Sequence, residues 1–149
     1  MNRKARILVV DDTPANVKLL ADLLTVKGYD VVTATNGEEG LKRVAADRPD
    51  LVLLDIMMPG MNGYEVCRAI RADPAYGVLP VVMVTSLDPT QERIKGLDAG
   101  ADDFHTKPIN QPELLARVRS LLRIKELYDQ LGRLNASLEQ RVAEQVKEI

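Results

Sequence analysis

The chain has 149 residues, of which 46% are hydrophobic and 28% charged, and this suits one globular domain with its own core plus an appendage. The formal net charge of −2 argues against direct binding to nucleic acid or anionic lipid. One cysteine, Cys67, excludes an internal disulfide framework and fits a small core residue in a reducing compartment. Because no apolar run approaches the roughly 20 residues that span a bilayer, we expect a cytoplasmic protein without membrane insertion.

Short apolar runs alternate with segments of helical length along most of the chain. Runs rich in β-branched residues predict strands at 7–10, 30–34, 51–54 and 81–85, and a weaker run at 102–106 is the candidate fifth. Helix start signals are Thr13 before Pro14, Asn36 with Glu39, Asp88 with Gln91 and Asn110 with Glu113, while Gly28 is a stop signal. This alternation predicts a doubly wound α/β fold with a parallel sheet between two layers of helices.

The C-terminal segment has a different pattern, because helical periodicity runs from Gln111 to Ile149 without a strong stop. Its first part can pack on the sheet through Leu114, Val118, Leu121 and Leu122. Its later part carries a heptad stripe with 3, 4, 3, 4 spacing: Ile124, Leu127, Leu131, Leu134 and Leu138. Arg141 breaks this stripe, and Val142, Val146 and Ile149 resume it as in a stutter. The pattern predicts a dimeric coiled coil, and a stripe that folds back on the domain is the alternative.

Polar residues stand where the predicted strands end: Asp11 and Asp12, Asp55, Thr85 and Ser86, and Lys107 before Pro108. The carboxyl ends of parallel strands share one edge, so these side chains are expected to converge. Three close carboxylates repel one another, and Mg²⁺ relieves that conflict. Lys107 and the two hydroxyls then suit a phosphoryl group carried by a nucleophilic carboxylate.

Each of these residues also has an ordinary structural explanation. Asp11 and Asp12 could serve a turn or a helix cap, and Asp55 could begin a turn. Thr85 is at home in a strand, and Lys107 is a typical surface residue. A functional site is favoured over these separate structural roles because all of these residues stand at successive strand ends.

Residues 6–123 resemble the receiver domain of bacterial two-component response regulators, through ILVVDD, VLLDIMMPGMNG, PVVMVTS and GADDFHTKPI. The resemblance implies a flavodoxin-like five-stranded sheet in the order 2-1-3-4-5, with five helices and a cis bond between Lys107 and Pro108. It implies that Asp55 accepts a phosphoryl group from a sensor histidine kinase or phosphotransfer protein. The other implied roles are Mg²⁺ ligands at Asp11, Asp12, Asp55 and the backbone carbonyl of Met57, a switch of Thr85 and Phe104, and phosphate binding by Ser86 and Lys107.

Several positions near the expected site invite separate predictions. Phe104 stands where the family often has a tyrosine, and it lacks that hydroxyl. Met57 and Leu87 are apolar at flanking positions that are often polar, which could hinder a hydrolytic water and prolong the phosphoryl state. We expect His105 to be a surface residue. Pro59, Gly60 and Gly63 should shape the turn behind Asp55, with both glycines able to adopt positive φ.

These observations predict a receiver domain at residues 1–123 and a helical coiled-coil extension at 124–149 that leads to an output module. The extension is similar to signalling helices that join receivers to cyclases, diguanylate cyclases or histidine kinases. Such a chain catalyses only its own phosphorylation and dephosphorylation. The alternatives are a Mg²⁺-dependent phosphatase-like enzyme, disfavoured because Met57 replaces the second acid of the haloacid-dehalogenase type, and a non-phosphorylated interaction module.

Overall fold

The computed structural model describes residues 4–86 and 89–148, in which strands and helices alternate as the sequence predicts. The strands are β1 (Arg6–Val10), β2 (Asp30–Ala34), β3 (Leu51–Leu54), β4 (Val81–Thr85) and β5 (Asp103–Thr106). The helices are α1 (Pro14–Val26), α2 (Gly37–Asp47), α3 (Gly63–Ala72), α4 (Pro89–Asp98) and α5 (Gln111–Glu148). A short 3₁₀ turn covers Pro74–Tyr76. The features predicted at Leu87, Asp88 and Ile149 lie outside the described residues.

The five strands form one parallel sheet in the order β2-β1-β3-β4-β5, which confirms the predicted topology. Val10 of β1 pairs with Leu54 of β3, and Leu54 pairs in turn with Met83 of β4. Strands β1 and β3 therefore end at the same level, and β4 extends two residues further, to Thr85. This register brings the residues that follow the strands to one edge of the sheet.

Alternate residues of the central strands enter two separate cores, one on each face of the sheet. One core holds Leu8, Val10, Val52, Leu54, Met83 and Phe104 with Val44, Val66, Cys67 and Ile70 of the helices. The other holds Ile7, Val9, Leu51, Leu53, Val82 and Val84 with Leu20, Leu24, Leu114 and Val118. The central strands β1, β3 and β4 are buried on both sides, as their continuous apolar runs predict, whereas the edge strand β2 is only partly buried. Cys67 is a core residue.

Helix ends follow the sequence signals in most cases. The side chain of Asn36 accepts a hydrogen bond from the Glu39 N–H at 2.8 Å, and Gly28 stands after α1 with φ of 92°. The prediction for Thr13 is correct in position only, because its side chain makes no capping hydrogen bond. Asp11 Oδ1 instead accepts from the Thr13 N–H at 2.9 Å, so this carboxylate also fixes the turn before α1.

Helix α5 is continuous across residues 123 and 124, and its two faces differ. Leu114 and Val118 are buried on the sheet, and two turns further Lys125 and Asp129 line a cavity of about 390 Å³ at the opposite end of the domain from the carboxyl ends of the strands. At 100° per residue, the heptad stripe lies on the other side of the helix. Its five members are 47–58% exposed: Ile124, Leu127, Leu131, Leu134 and Leu138. The stripe does not fold back on the domain, contrary to the alternative considered above.

In the part of the chain that the structure describes, no helix has the length and apolarity needed to cross a bilayer.

Candidate functional site

Three carboxylates meet at the edge of the sheet where β1 and β3 end. The Asp55 N–H donates to the Val10 carbonyl at 2.9 Å, which holds the end of β3 beside the end of β1. One carboxylate oxygen from each of Asp11, Asp12 and Asp55 lies within 4.8 Å of the other two. Asp11 and Asp55 are buried, whereas Asp12 is exposed. The cluster is therefore walled on one side and open to solvent on the other.

Lys107 brings one positive charge to this cluster from the end of β5. Its backbone N–H donates to the Thr85 carbonyl at 2.7 Å, which ties the ends of β4 and β5 together. Its ammonium donates to Asp11 Oδ2 at 2.9 Å and lies 3.8 Å from Asp55 Oδ2. The peptide bond between Lys107 and Pro108 is cis, as predicted. One ammonium among three carboxylates leaves the site with a net negative charge.

The surroundings of Asp55 disfavour its ionised form. Burial raises the pKa of Asp55, and the neighbouring charge of Asp11 raises it further. Lys107 and the Ile56 N–H, which donates to Asp55 Oδ1 at 2.8 Å, act in the opposite direction and lower the pKa. An ionised Asp55 thus lacks sufficient compensation from the protein alone.

The donor set fits a hard divalent cation. Mg²⁺ prefers carboxylate oxygens, keeps several of its waters and tolerates only a few protein ligands. Three convergent carboxylates, of which Asp12 is open to solvent, meet those requirements. Asp11, Asp12 and Asp55 are the residues that would hold the ion, and its charge would remove their mutual repulsion.

The remaining predicted site residues lie around the cluster. Thr85 is fully buried at the end of β4, and Ser86 follows it at the surface. The Met57 side chain is 61% exposed two residues after Asp55. Phe104 is buried beside Met83, and its ring lies close to the position that a Cβ on Gly96 would occupy. The structure thus brings Asp11, Asp12, Asp55 and Lys107 together, while the roles of all these residues stay predictions.

The turn behind Asp55 needs its two glycines for different reasons. Gly60 has φ of 76°, as predicted. Gly63 has no positive φ, so that prediction was wrong. Its N–H donates to the Ile56 carbonyl at 2.9 Å, and a Cβ at this position would overlap the Asp55 carbonyl oxygen. Gly63 is required by the close approach of α3 to the strand end.

His105 is buried, and the prediction of a surface residue was wrong. Only 8% of it is exposed, and its Nε2 lies 2.8 Å from Asp103 Oδ2. Arg117 of α5 approaches the same oxygen at 3.3 Å. Asp103 therefore links His105 to Arg117 of α5, and this acidic neighbour accommodates the buried polar side chain. The sequence pattern of residues 102–106 did not indicate that His105 is buried.

Sequence reasoning also missed a contact between α3 and α4. The Tyr64 hydroxyl donates to the Glu92 carboxylate and lies 3.3 Å from the Glu92 carbonyl oxygen. The two residues are 28 positions apart and neither belongs to a short motif. The only available signal was that Tyr64 directly follows Gly63 at the start of a predicted helix.

The sequence and fold match known proteins over most of the chain. Residues 7–119 match the family described as response regulator receiver domain. A receiver domain protein described as CheY-like from Methanospirillum hungatei superposes with a TM-score of 0.78 and 30% identity, over 85% of this chain and 99% of that one. The BeF3-activated N-terminal receiver domain of RstA from Klebsiella pneumoniae gives a TM-score of 0.73 and 38% identity, over 79% and 98% of the two chains.

Among curated proteins, the response regulator PleD of Caulobacter vibrioides is 53% identical over 133 residues, which is 89% of this chain and 29% of PleD. The chain spans between about a third and about half of the length of the curated relatives it matches. The family match covers most of the chain, and the sheet order and helix order agree with it. The chain belongs to the response regulator receiver domain family.

Proposed function

We propose that this chain accepts a phosphoryl group on Asp55 in a Mg²⁺-dependent reaction, with a sensor histidine kinase or phosphotransfer protein as donor. The observation that carries the proposal is the convergence of Asp11, Asp12 and Asp55 within 4.8 Å, with the Lys107 ammonium 3.8 Å from Asp55 Oδ2. A carboxylate can act as the nucleophile in phosphoryl transfer when its surroundings stabilise the transferred group. In this cluster Asp55 is the carboxylate nucleophile, and Lys107 with a bound Mg²⁺ would stabilise the transferred group.

The two oxygens of Asp55 have different neighbours. Oδ1 accepts the Ile56 N–H at 2.8 Å, which fixes the orientation of the carboxylate. Oδ2 lies on the side of Lys107, and we assign the attack on phosphorus to Oδ2. The new O–P bond forms as the P–N bond of the donor phosphohistidine breaks, and the departing imidazole nitrogen takes up a proton. Mg²⁺, when bound, would neutralise charge on the phosphoryl oxygens.

The same residues supply a response to the new group. Lys107 is positioned to exchange part of its contact with Asp11 for a phosphoryl oxygen. We assign the hydroxyls of Thr85 and Ser86 as further donors to that group. Thr85 is buried at the end of β4, so we expect its displacement to affect α4, which follows it in the chain, and Phe104 on the neighbouring strand β5.

A groove beside Lys107 suits the donor protein. It has a volume of about 380 Å³ and is lined by Asn16, Leu19, Leu20, Leu23, Lys107, Pro108, Ile109 and Gln111. Leu19 is half-exposed on α1. Lys107 belongs both to this groove and to the carboxylate cluster, so a helix seated in the groove would lie next to Asp55. We propose that the donor's histidine-bearing helix occupies it.

We further propose that residues 124–149 pair with a second copy of the chain and carry the signal to an output module. What supports this is the position of the heptad stripe, which faces away from the receiver while the opposite face of α5 packs on it. Pairing through the stripe would bury it without displacing the receiver. The division at residue 123, the cytoplasmic location and the lack of nucleic-acid binding also stay predictions.

The rival enzyme function finds little support in the site. A phosphatase of the haloacid-dehalogenase type needs a general acid two residues after the nucleophile, and Met57 has no proton to give. A non-phosphorylated interaction module would not require three acids and a lysine at one sheet edge. The receiver role accounts for all four.

The experiment that tests the proposal is incubation of the chain with acetyl phosphate and Mg²⁺, followed by intact-mass analysis. We expect one added phosphoryl mass, lost when EDTA replaces Mg²⁺. No added mass with Mg²⁺ would overturn the acceptor role, and an unchanged rate in EDTA would overturn the metal assignment.

A further inference from the structure

The described part of helix α4, from Gln91 to Asp98, makes few buried contacts with the domain. Within this range Gly96 is the one buried residue, and a Cβ at this position would lie 3.4 Å from the Phe104 ring. Ile94 and Leu97 are exposed. A helix that packs through its smallest residue gains little from apolar burial, so polar contacts have a large share in fixing its position.

The hydroxyl of Tyr64 provides such a contact from another helix. It donates to the carboxylate of Glu92 in the first turns of α4, and it also approaches the Glu92 carbonyl. The Tyr64 ring packs against the core that contains Met83 and Phe104. Burial and the Glu92 carboxylate both raise the pKa of Tyr64, so the hydroxyl keeps its proton and stays a donor at physiological pH.

Both ends of this contact are attached to the acceptor site. Tyr64 directly follows Gly63, whose N–H is bonded to the Ile56 carbonyl next to Asp55. Glu92 belongs to the helix that follows Thr85 in the chain. The contact therefore joins the helix that follows Asp55 in the chain to the helix that follows Thr85, and any shift of α4 relative to α3 must stretch or break it.

We propose that the hydrogen bond from Tyr64 to Glu92 is a restraint that opposes displacement of α4 and so sets how readily occupation of Asp55 moves that helix. This regulatory role rests on the function proposed above. Lys95, 3.6 Å from the Glu92 carboxylate, helps to orient the acceptor. A contact that exists in only one of two conformations stabilises that conformation. Removing the contact therefore raises the affinity of every ligand that binds the other conformation.

The test uses beryllofluoride, a mimic of the phosphoryl group, titrated with Mg²⁺ into the full chain while thermal stability is followed. Tyr64→Phe removes the donor, and Glu92→Ala removes the carboxylate acceptor. We expect each to bind beryllofluoride at least threefold more tightly than the wild type, and the double variant to gain no more than one single variant. Glu92→Gln keeps an oxygen acceptor, so its affinity for beryllofluoride should lie between those of the wild type and Glu92→Ala.

The matched control is Tyr76→Phe, which alters a tyrosine packed on the same core away from α4. A purely structural role for Tyr64 would lower the stability of the free chain and leave the beryllofluoride affinity unchanged. Unchanged or weaker affinity of Tyr64→Phe, with normal binding by the wild type, would overturn the restraint alone. Failure of the wild type to bind beryllofluoride would overturn the proposed function and the restraint with it.

Discussion

Gly63 lies against the back of Asp55 so closely that a Cβ at Gly63 would overlap the Asp55 carbonyl oxygen and stand 2.8 Å from the Cα of Ile56. Both obstacles are backbone atoms of the strand end, which cannot turn aside as a flexible side chain would. The position of the phosphoacceptor candidate and the start of α3 are thus fixed together. The close approach explains why α3 begins with a glycine, although glycine does not itself favour a helix.

Gly63→Ala should therefore destabilise the protein by about 1–3 kcal/mol, the usual effect of overpacking a core. The matched control is Gly132→Ala in the exposed part of α5, where nothing lies within 4 Å of the added methyl group. That change should stabilise the chain by about 0.5–1 kcal/mol, because alanine loses less backbone entropy in a helix. Urea denaturation measures both, and effects of equal sign would contradict the account of Gly63.

Asp55 should weaken the fold at neutral pH when no divalent metal is present. Its folded-state pKa is raised, so its contribution to stability is complete below its usual pKa of about 3.9 and is lost as the pH rises through the folded-state value. Asp55→Asn should then melt higher than the wild type at pH 7, by about 2–4 °C for each 1 kcal/mol gained. The gap should close as the pH falls below about 4.

Thermal denaturation at several pH values measures this gap. Asp22→Asn serves as the control, because Asp22 is exposed and paired with Lys18, and it should show no gain. Adding Mg²⁺ should narrow the gap, since the ion stabilises the chain that holds it. A lower melting temperature for Asp55→Asn at pH 7 would refute the electrostatic description of the site.

Much of the fold was readable from the sequence because local and global signals agree. The β-branched runs, the caps at Asn36 and Asn110 and the stop at Gly28 all mark the boundaries that the structure shows. The failures share a physical cause. His105 is buried beside Asp103, which Arg117 of the following helix approaches, Gly63 is constrained by the Asp55 carbonyl eight residues before it, and Tyr64 meets a carboxylate 28 positions away. Such distant contacts leave no periodic signal.

The heptad stripe should make the chain dimeric. Leu131 is exposed in the middle of the stripe, and burying a leucine contributes about 1.5–3 kcal/mol. Leu131→Asp should therefore convert a dimer into a monomer, as should a chain that ends at Arg123. Ala136→Asp, a change at an exposed position outside the stripe, is the control and should leave the dimer intact. Light scattering gives the mass, and a monomeric wild type at high micromolar concentration would rule out the coiled coil.

The groove on α1 should matter for a protein donor and not for a small one. Leu19→Asp places a charge in the apolar groove, and we expect phosphotransfer from a histidine phosphotransfer protein to slow about tenfold, equivalent to about 1.4 kcal/mol. Labelling by acetyl phosphate should be unchanged. Val26→Asp, at an exposed position near the end of the same helix, is the control. Equal losses with both donors would place the effect in the acceptor site and not in docking.

The central claim is that Asp55 is the residue that carries the phosphoryl group, and one measurement addresses it directly. The wild type and Asp55→Asn are incubated with acetyl phosphate and Mg²⁺, and intact mass is followed by peptide mapping of the modified residue. The account predicts a single phosphoryl group on the wild type, located at Asp55, and none on Asp55→Asn. Full phosphorylation of Asp55→Asn, or a wild-type group located on any other residue, would contradict it.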